Sequence, residues 1–320
     1  MDKSWHFHQV CESDDLESTN TFCFPILPFM NHWPPCDIDG QEEHHIVDHA
    51  IDWIFSQQRS NGLWGEDPYT TQLSGLVIST MTFGGYSPQH ERYGKQIEKA
   101  LIALMEIEKE ELDYAQQAGL IIGITEAADY YRIPILEDRV KTYLTGYAPD
   151  TNNLIEVEAA YTLFHYAERQ NLTLSNRQAF IEATNISRQA ATWLTPETTE
   201  LWKTLPQPLF KRRQALWHWH DLGLSKSIED AQYDRDMFRE SIITRGRYCY
   251  WTPDSLSLSE KLMISGMTKR DKNLYVTALT LQILLTYFPP LNPYLKEWEM
   301  ETEDRSKDIE AIAIPDESAP

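Results

Sequence analysis

Carboxylates crowd the run Glu12-Ser13-Asp14-Asp15-Leu16-Glu17-Ser18-Thr19, which leads into the apolar segment from Phe22 to Met30. An acid in a dry pocket beside a second carboxylate keeps its proton, because desolvation and like charge both favour the neutral form. Such a group can protonate a bound substrate. The same residues also suit a helix start, where Asp, Ser and Thr cap orphan N–H groups and carboxylates meet the positive dipole end. Both readings stand at this point.

Other clusters offer less. Lys211-Arg212-Arg213 is the one dense basic cluster, able to hold a diphosphate by charge-assisted hydrogen bonds or to serve as a solvated helix start. His45 and His49 share a helical face at the spacing zinc sites use, but on a helix expected to face water, so no metal is assigned. In Trp217-His218-Trp219-His220-Asp221 the two histidines point apart on a helix. Trp217 and His220 do share a face and are read as lining a cavity. The four cysteines are Cys11, Cys23, Cys36 and Cys249; they are too few for a disulfide scaffold and read as reduced thiols. No Gly-rich phosphate loop or nucleophile elbow is present.

The elements that must position these groups are helices. His49 to Phe55 is amphipathic, and Gln58, Gly62 and Trp64 follow it. Gly62 permits a sharp exit from the helix, Gln58 can bond the freed carbonyls, and Trp64 covers the turn with an apolar face and an N–H donor. The next helix starts at Asp67-Pro68-Tyr69-Thr70-Thr71, with Asp67 as cap and Pro68 in the first turn. Leu104-Met105, Tyr143-Leu144 and Trp193-Leu194 close further amphipathic stretches at intervals of about 40–50 residues. Between them lie helices apolar on most of their surface. One carries Ala115, Gly119, Gly123 and Ala127 at every fourth position, a stripe that lets another backbone approach closely. This alternation predicts outer helices over 44–58, 93–107, 136–145, 178–194 and 228–243. Inner helices are expected over 15–30, 70–82, 113–131, 152–169, 206–221 and 273–288.

Trp53 to Trp64 resembles the glutamine–tryptophan repeat of squalene–hopene cyclases, and Tyr275-Val276-Thr277-Ala278-Leu279 is similar to the opening of inner helices in that superfamily. Asp67 to Thr71 looks like a second copy of that opening. The resemblance implies an all-α chain folded as an α/α toroid, as in terpene cyclases and protein prenyltransferases. One such domain would span 1–290, ahead of an acidic tail over 291–320. It further implies an isoprenoid cyclase or isomerase in which Glu17 donates the proton and Asp15 is its partner. Tyr69, Tyr161, Trp217, His220 and Tyr275 would line the cavity, where ring faces stabilise carbocations. Glu stands where the family has its central Asp, and Ser where it has a third carboxylate. The prenyltransferases' zinc site is not matched, because Cys249 has no Asp two residues before it. No cofactor is expected; magnesium would enter only with a diphosphate substrate. The competing expectation is a non-catalytic toroid that binds an isoprenoid or a protein partner. A second copy or a partner could complete the pocket.

Charge excludes other classes. Lys and Arg total 28 against 49 Asp and Glu, a net charge of −21. That field repels nucleic-acid phosphates and anionic membrane surfaces. No apolar run approaches the roughly 20 residues that cross a bilayer, and the N-terminal residues lack signal-peptide order. The expected location is the cytoplasm.

Overall fold

Residues 41–108, 112–150, 154–191, 237–256, 261–262 and 264–287 of the chain are described by a computed structural model. Among them the chain is mainly helical. The helices are α1 (Gln41–Ser56), α2 (Thr70–Phe83), α3 (Gly94–Met105), α4 (Tyr114–Tyr131), α5 (Pro134–Gly146), α6 (Leu154–Arg169), α7 (Arg177–Ala191) and α8 (Lys269–Tyr287). Every expected helix that falls wholly on described residues is present, its ends displaced by a few residues. The helices expected near 15–30 and 206–221 lie outside the described residues, as does the 291–320 tail.

Two burial patterns alternate along the chain, because one class of helix carries its apolar residues on a single stripe and the other on most of its surface. On α3 the buried positions Ile97, Ala100, Leu101 and Leu104 form one stripe, and on α5 so do Leu136, Val140, Tyr143 and Leu144. On α2, α4 and α8 burial runs almost all round: Val77 to Thr82, Ala118 to Thr125, and Asn273 to Leu285 without a break. Helix α2 packs on α4, α4 on α6, and α8 returns to pack on α2 and α1.

Backbone contact explains why α2 and α4 lie so close. An added Cβ at Gly75 would meet the Gly119 carbonyl oxygen at 1.9 Å, and one at Gly123 would meet Gly75 Cα at 2.7 Å. The small-residue stripe on α4 is therefore filled by the main chain of α2. On its other side α2 meets α8 through buried polar pairs. Gln282 donates to Ser79 Oγ at 2.8 Å and to Thr80 Oγ1 at 3.1 Å. Helix α4 starts on a capping box, Asp113 accepting from Gln116 N while the Gln116 side chain accepts from Asp113 N.

One element departs from the expectation of an outer helix over 228–243. Residues 237–240 are helical, but the chain then forms an antiparallel hairpin of β1 (Ile243–Arg245) and β2 (Tyr248–Tyr250), with Ile243 opposite Tyr250. The cause is local. β-branched and aromatic residues flank Gly246, whose φ of 60° supplies the turn. The hairpin is covered by α1, with the Trp53 and Tyr250 rings stacked 4.9 Å apart.

Candidate functional site

The connection from α1 to α2 is built as a staple. Trp64 is fully buried and donates its indole N–H to the Ile54 carbonyl at 2.8 Å. Its main chain is clasped by Ser74, whose Oγ accepts from Trp64 N at 2.8 Å and donates to Trp64 O at 3.2 Å. Gln58 Nε2 donates to the carbonyls of Gly62 and Gln96, at 2.8 and 2.9 Å. Gly62 holds a φ of 90°, with Lys99 where a side chain would stand. Sequence reasoning found this unit and overlooked its second copy. Trp251, also buried, donates its indole N–H to Phe238 O at 2.8 Å. Its main-chain N–H is accepted by Thr277 Oγ1 at 3.0 Å, as Ser74 accepts from the main chain of Trp64. The glutamine is missing and the intervening hairpin stretches the spacing, so the repeat was not legible.

The staple sets out a polar cavity of about 280 Å³, lined by Arg59, Gly65, Glu66, Asp67, Arg270 and Asp271. Arg59 follows α1 and donates from Nη1 to Gly65 O at 3.0 Å. Arg270, in the first turn of α8, donates to Gln57 Oε1 and to Gln57 O, at 2.8 and 2.9 Å. Asp271 is 1% exposed; its Oδ2 accepts from Glu66 N at 3.2 Å, and its own N–H is capped by Thr268 Oγ1. A carboxylate in the first turn also meets the positive end of α8.

Of the residues expected to line a cavity, three are described. Tyr69 is half-buried ahead of α2, its hydroxyl close enough to Gly266 that a side chain there would strike it. Tyr161 is buried on α6 with its ring 4.2 Å from that of His165, and Tyr275 is buried on α8. Tyr69 thus stands at the start of α2, while Tyr161 and Tyr275 lie within α6 and α8. Asp15, Glu17, Lys211, Arg212, Arg213, Trp217 and His220 lie outside the described residues. Among the described residues no group of three His, Cys, Asp or Glu side chains could hold a metal ion. No helix there is long and apolar enough to cross a membrane.

Sequence reasoning also passed over α6 as a source of acids. Glu156 and Glu158 are each only 2% exposed. Glu156 accepts from Asp150 N through Oε2 at 2.9 Å. Glu158 shares a face with Tyr161 and His165 at the i, i+3, i+7 spacing of one helix side. The available signal was two carboxylates in the apolar first half of α6, which burial makes costly unless they are paired or hydrogen-bonded.

Beside α1 an aromatic and charged cluster ties the residues ahead of α3 to α1. Tyr93 donates its hydroxyl to Asp52, which Arg92 also meets at 2.6 Å, and the Tyr93 ring stacks on Phe55 at 4.4 Å. Burial, then the bond to Asp52, pushes the Tyr93 phenol far above its usual range. Burial does the same first of all for Tyr86, Tyr131 and Tyr147, and takes Tyr166 up to about 12. Each phenol binds its proton more tightly folded than unfolded, where the pKa is about 10. Their contribution is complete below about pH 10 and is lost as pH rises through the folded values. An alkaline titration should therefore show phenolate absorbance of these groups growing in step with loss of helical circular dichroism. All tyrosines ionising near pH 10 with the helices intact would contradict that packing. Cys249 is buried, and burial raises its thiol pKa, which leaves little of the nucleophilic thiolate.

Compared with family models, curated proteins and solved structures, the chain matches none of them.

Proposed function

We propose that the chain is a single α/α toroid that receives an apolar, isoprenoid-class ligand within its ring of all-round-buried helices and converts it by protonation. The observation that carries this reading is the succession of packings. Helix α8 lies on α2, α2 on α4 and α4 on α6, so among the described residues the last helix of this class packs back on the first. A ring of inner helices requires that return. Tyr69, Tyr161 and Tyr275 lie on three of these helices or at their starts, and their π faces suit a developing carbocation. Glu17, with Asp15 beside it, is the proposed acid, and Glu158, buried on α6, is the alternative carboxyl. Lys211, Arg212 and Arg213 would receive a diphosphate, with magnesium only for such a substrate.

The second reading is a toroid that binds an isoprenoid or a protein partner and converts nothing. It draws support from two of the three carboxylates buried among the described residues, Glu156 and Asp271, which accept main-chain N–H groups as helix and turn caps do.

One experiment separates them. The chain is incubated with farnesyl diphosphate, geranylgeranyl diphosphate and squalene, and products are analysed alongside Glu17→Gln and Glu158→Gln variants. The expected result is product from wild type and a loss of about 10²–10⁴-fold in Glu17→Gln, with ligand binding retained. Full activity in Glu17→Gln with loss in Glu158→Gln moves the acid to α6. Binding without product in wild type selects the second reading.

A further inference from the structure

Five charged side chains face one small space between the α1–α2 connection and the start of α8. They are Arg59, Glu66, Asp67, Arg270 and Asp271, and with Gly65 they line an open cleft of about 280 Å³. That is the small end of the range for ligand pockets. Opposite charges gathered only for stability would close on each other. Here neither arginine forms an ion pair with any of the three carboxylates; the ion pairs among the described residues lie elsewhere. The guanidiniums are held instead by neutral oxygens, Arg59 on Gly65 O and Arg270 on both oxygens of Gln57. Each is thereby fixed in orientation and keeps further N–H donors for a ligand, since a guanidinium carries five.

The charge balance narrows the ligand class. Two arginines against three carboxylates leave one net negative charge on the lining. A polyanion such as inorganic diphosphate is opposed by that balance. A plain amine meets two guanidiniums. A molecule carrying one anion and one cation a few ångströms apart satisfies both sets of groups. We propose that this cavity binds a small zwitterion of the α-amino-acid class, its carboxylate on Arg59 and Arg270 and its ammonium on Asp67 and Asp271. The planar guanidinium fork suits a carboxylate in particular.

The site is independent of the isoprenoid reading, and its consequence for the fold is separate too. Glu66 with Asp271, and Gln57 with Arg270, already join segments 205 and 213 residues apart in the chain. A ligand spanning Arg59 and Arg270 adds a further tie there, so binding should raise the melting temperature by mass action.

The test uses the full chain with L-alanine and L-glutamine as zwitterions, propionate and propylamine as single-charge analogues, and inorganic diphosphate. Binding is read by calorimetric titration and thermal shift. Expected are saturable binding of at least one zwitterion, about tenfold or more tighter than either analogue, and a raised melting temperature. Asp67→Asn and Arg270→Gln, both at exposed positions, should each weaken that binding about tenfold while the ligand-free melting temperature stays near wild type. Absence of saturable binding by both zwitterions overturns the proposal, as does equal affinity for propionate or tighter binding of diphosphate. Unchanged zwitterion binding in both variants places the ligand elsewhere and overturns it equally.

Discussion

Trp64→Ala should destabilise the fold by about 3–5 kcal/mol, the range for removing a large aromatic from a packed site. The indole is 0% exposed, lies edge-on to Phe55 at 6.0 Å and holds the Ile54 carbonyl at the end of α1. Alanine leaves a cavity between α1 and α2 and removes one of that carbonyl's two donors, Gln57 N remaining at 2.9 Å, so the cavity carries most of the cost. Ser74 still clasps the main chain of residue 64, so the turn keeps its path while its cover is lost. Chemical denaturation should show a lower midpoint with little change of slope, the signature of altered stability rather than altered compactness. A midpoint unchanged by the substitution would refute the staple. Trp251→Ala removes the corresponding bond to Phe238 O and should act in the same direction.

The first staple could be read from the chain because all of its parts are local. Gln58, Gly62 and Trp64 fall within seven residues, and each part solves a problem posed by one helix end. Trp251 is used in the same way, but its clasping hydroxyl, Thr277, stands 26 residues later, and a hairpin separates Trp251 from Phe238. Spacing that varies with an insertion hides a repeat even when the geometry is kept. The helices on described residues were legible because period and burial agree; the stripe on α4 is the clearest case.

The candidate sites were less legible for a different reason. Glu156 and Glu158 are conspicuous only once α6 is seen to be buried on nearly every side, since a surface helix carries such residues freely. The polar cavity joins Arg59 to Arg270 across more than 200 positions, and no local pattern marks residues that meet only through the fold. The motif Asp15 to Thr19, by contrast, is visible in sequence, and its chemistry depends on the environment that surrounds Glu17.

Gly75→Ala should destabilise by about 3 kcal/mol or more, against the usual sign for this change in a helix. In a helix interior alanine is ordinarily favoured over glycine by roughly 0.5–1 kcal/mol, through backbone entropy. At Gly75 the new methyl would stand 1.9 Å from the Gly119 carbonyl oxygen and 2.5 Å from its carbon. Both are main-chain atoms of α4, so no rotamer change relieves the overlap. The helices must part by roughly an ångström or more, and close-packed interiors do not deform that far without loss. Parting them also strains the opposite face of α2, where Ser79 and Thr80 receive Gln282 of α8. Gly119→Ala meets the main chain of Gln72 at 2.6 Å and should behave alike. Because either substitution alone forces the same separation, the double variant should lose clearly less than the sum of the two. Additive losses, or a Gly75→Ala protein as stable as wild type, would show that α2 and α4 are not in backbone contact. The succession of packings that supports a ring would then lose its central link.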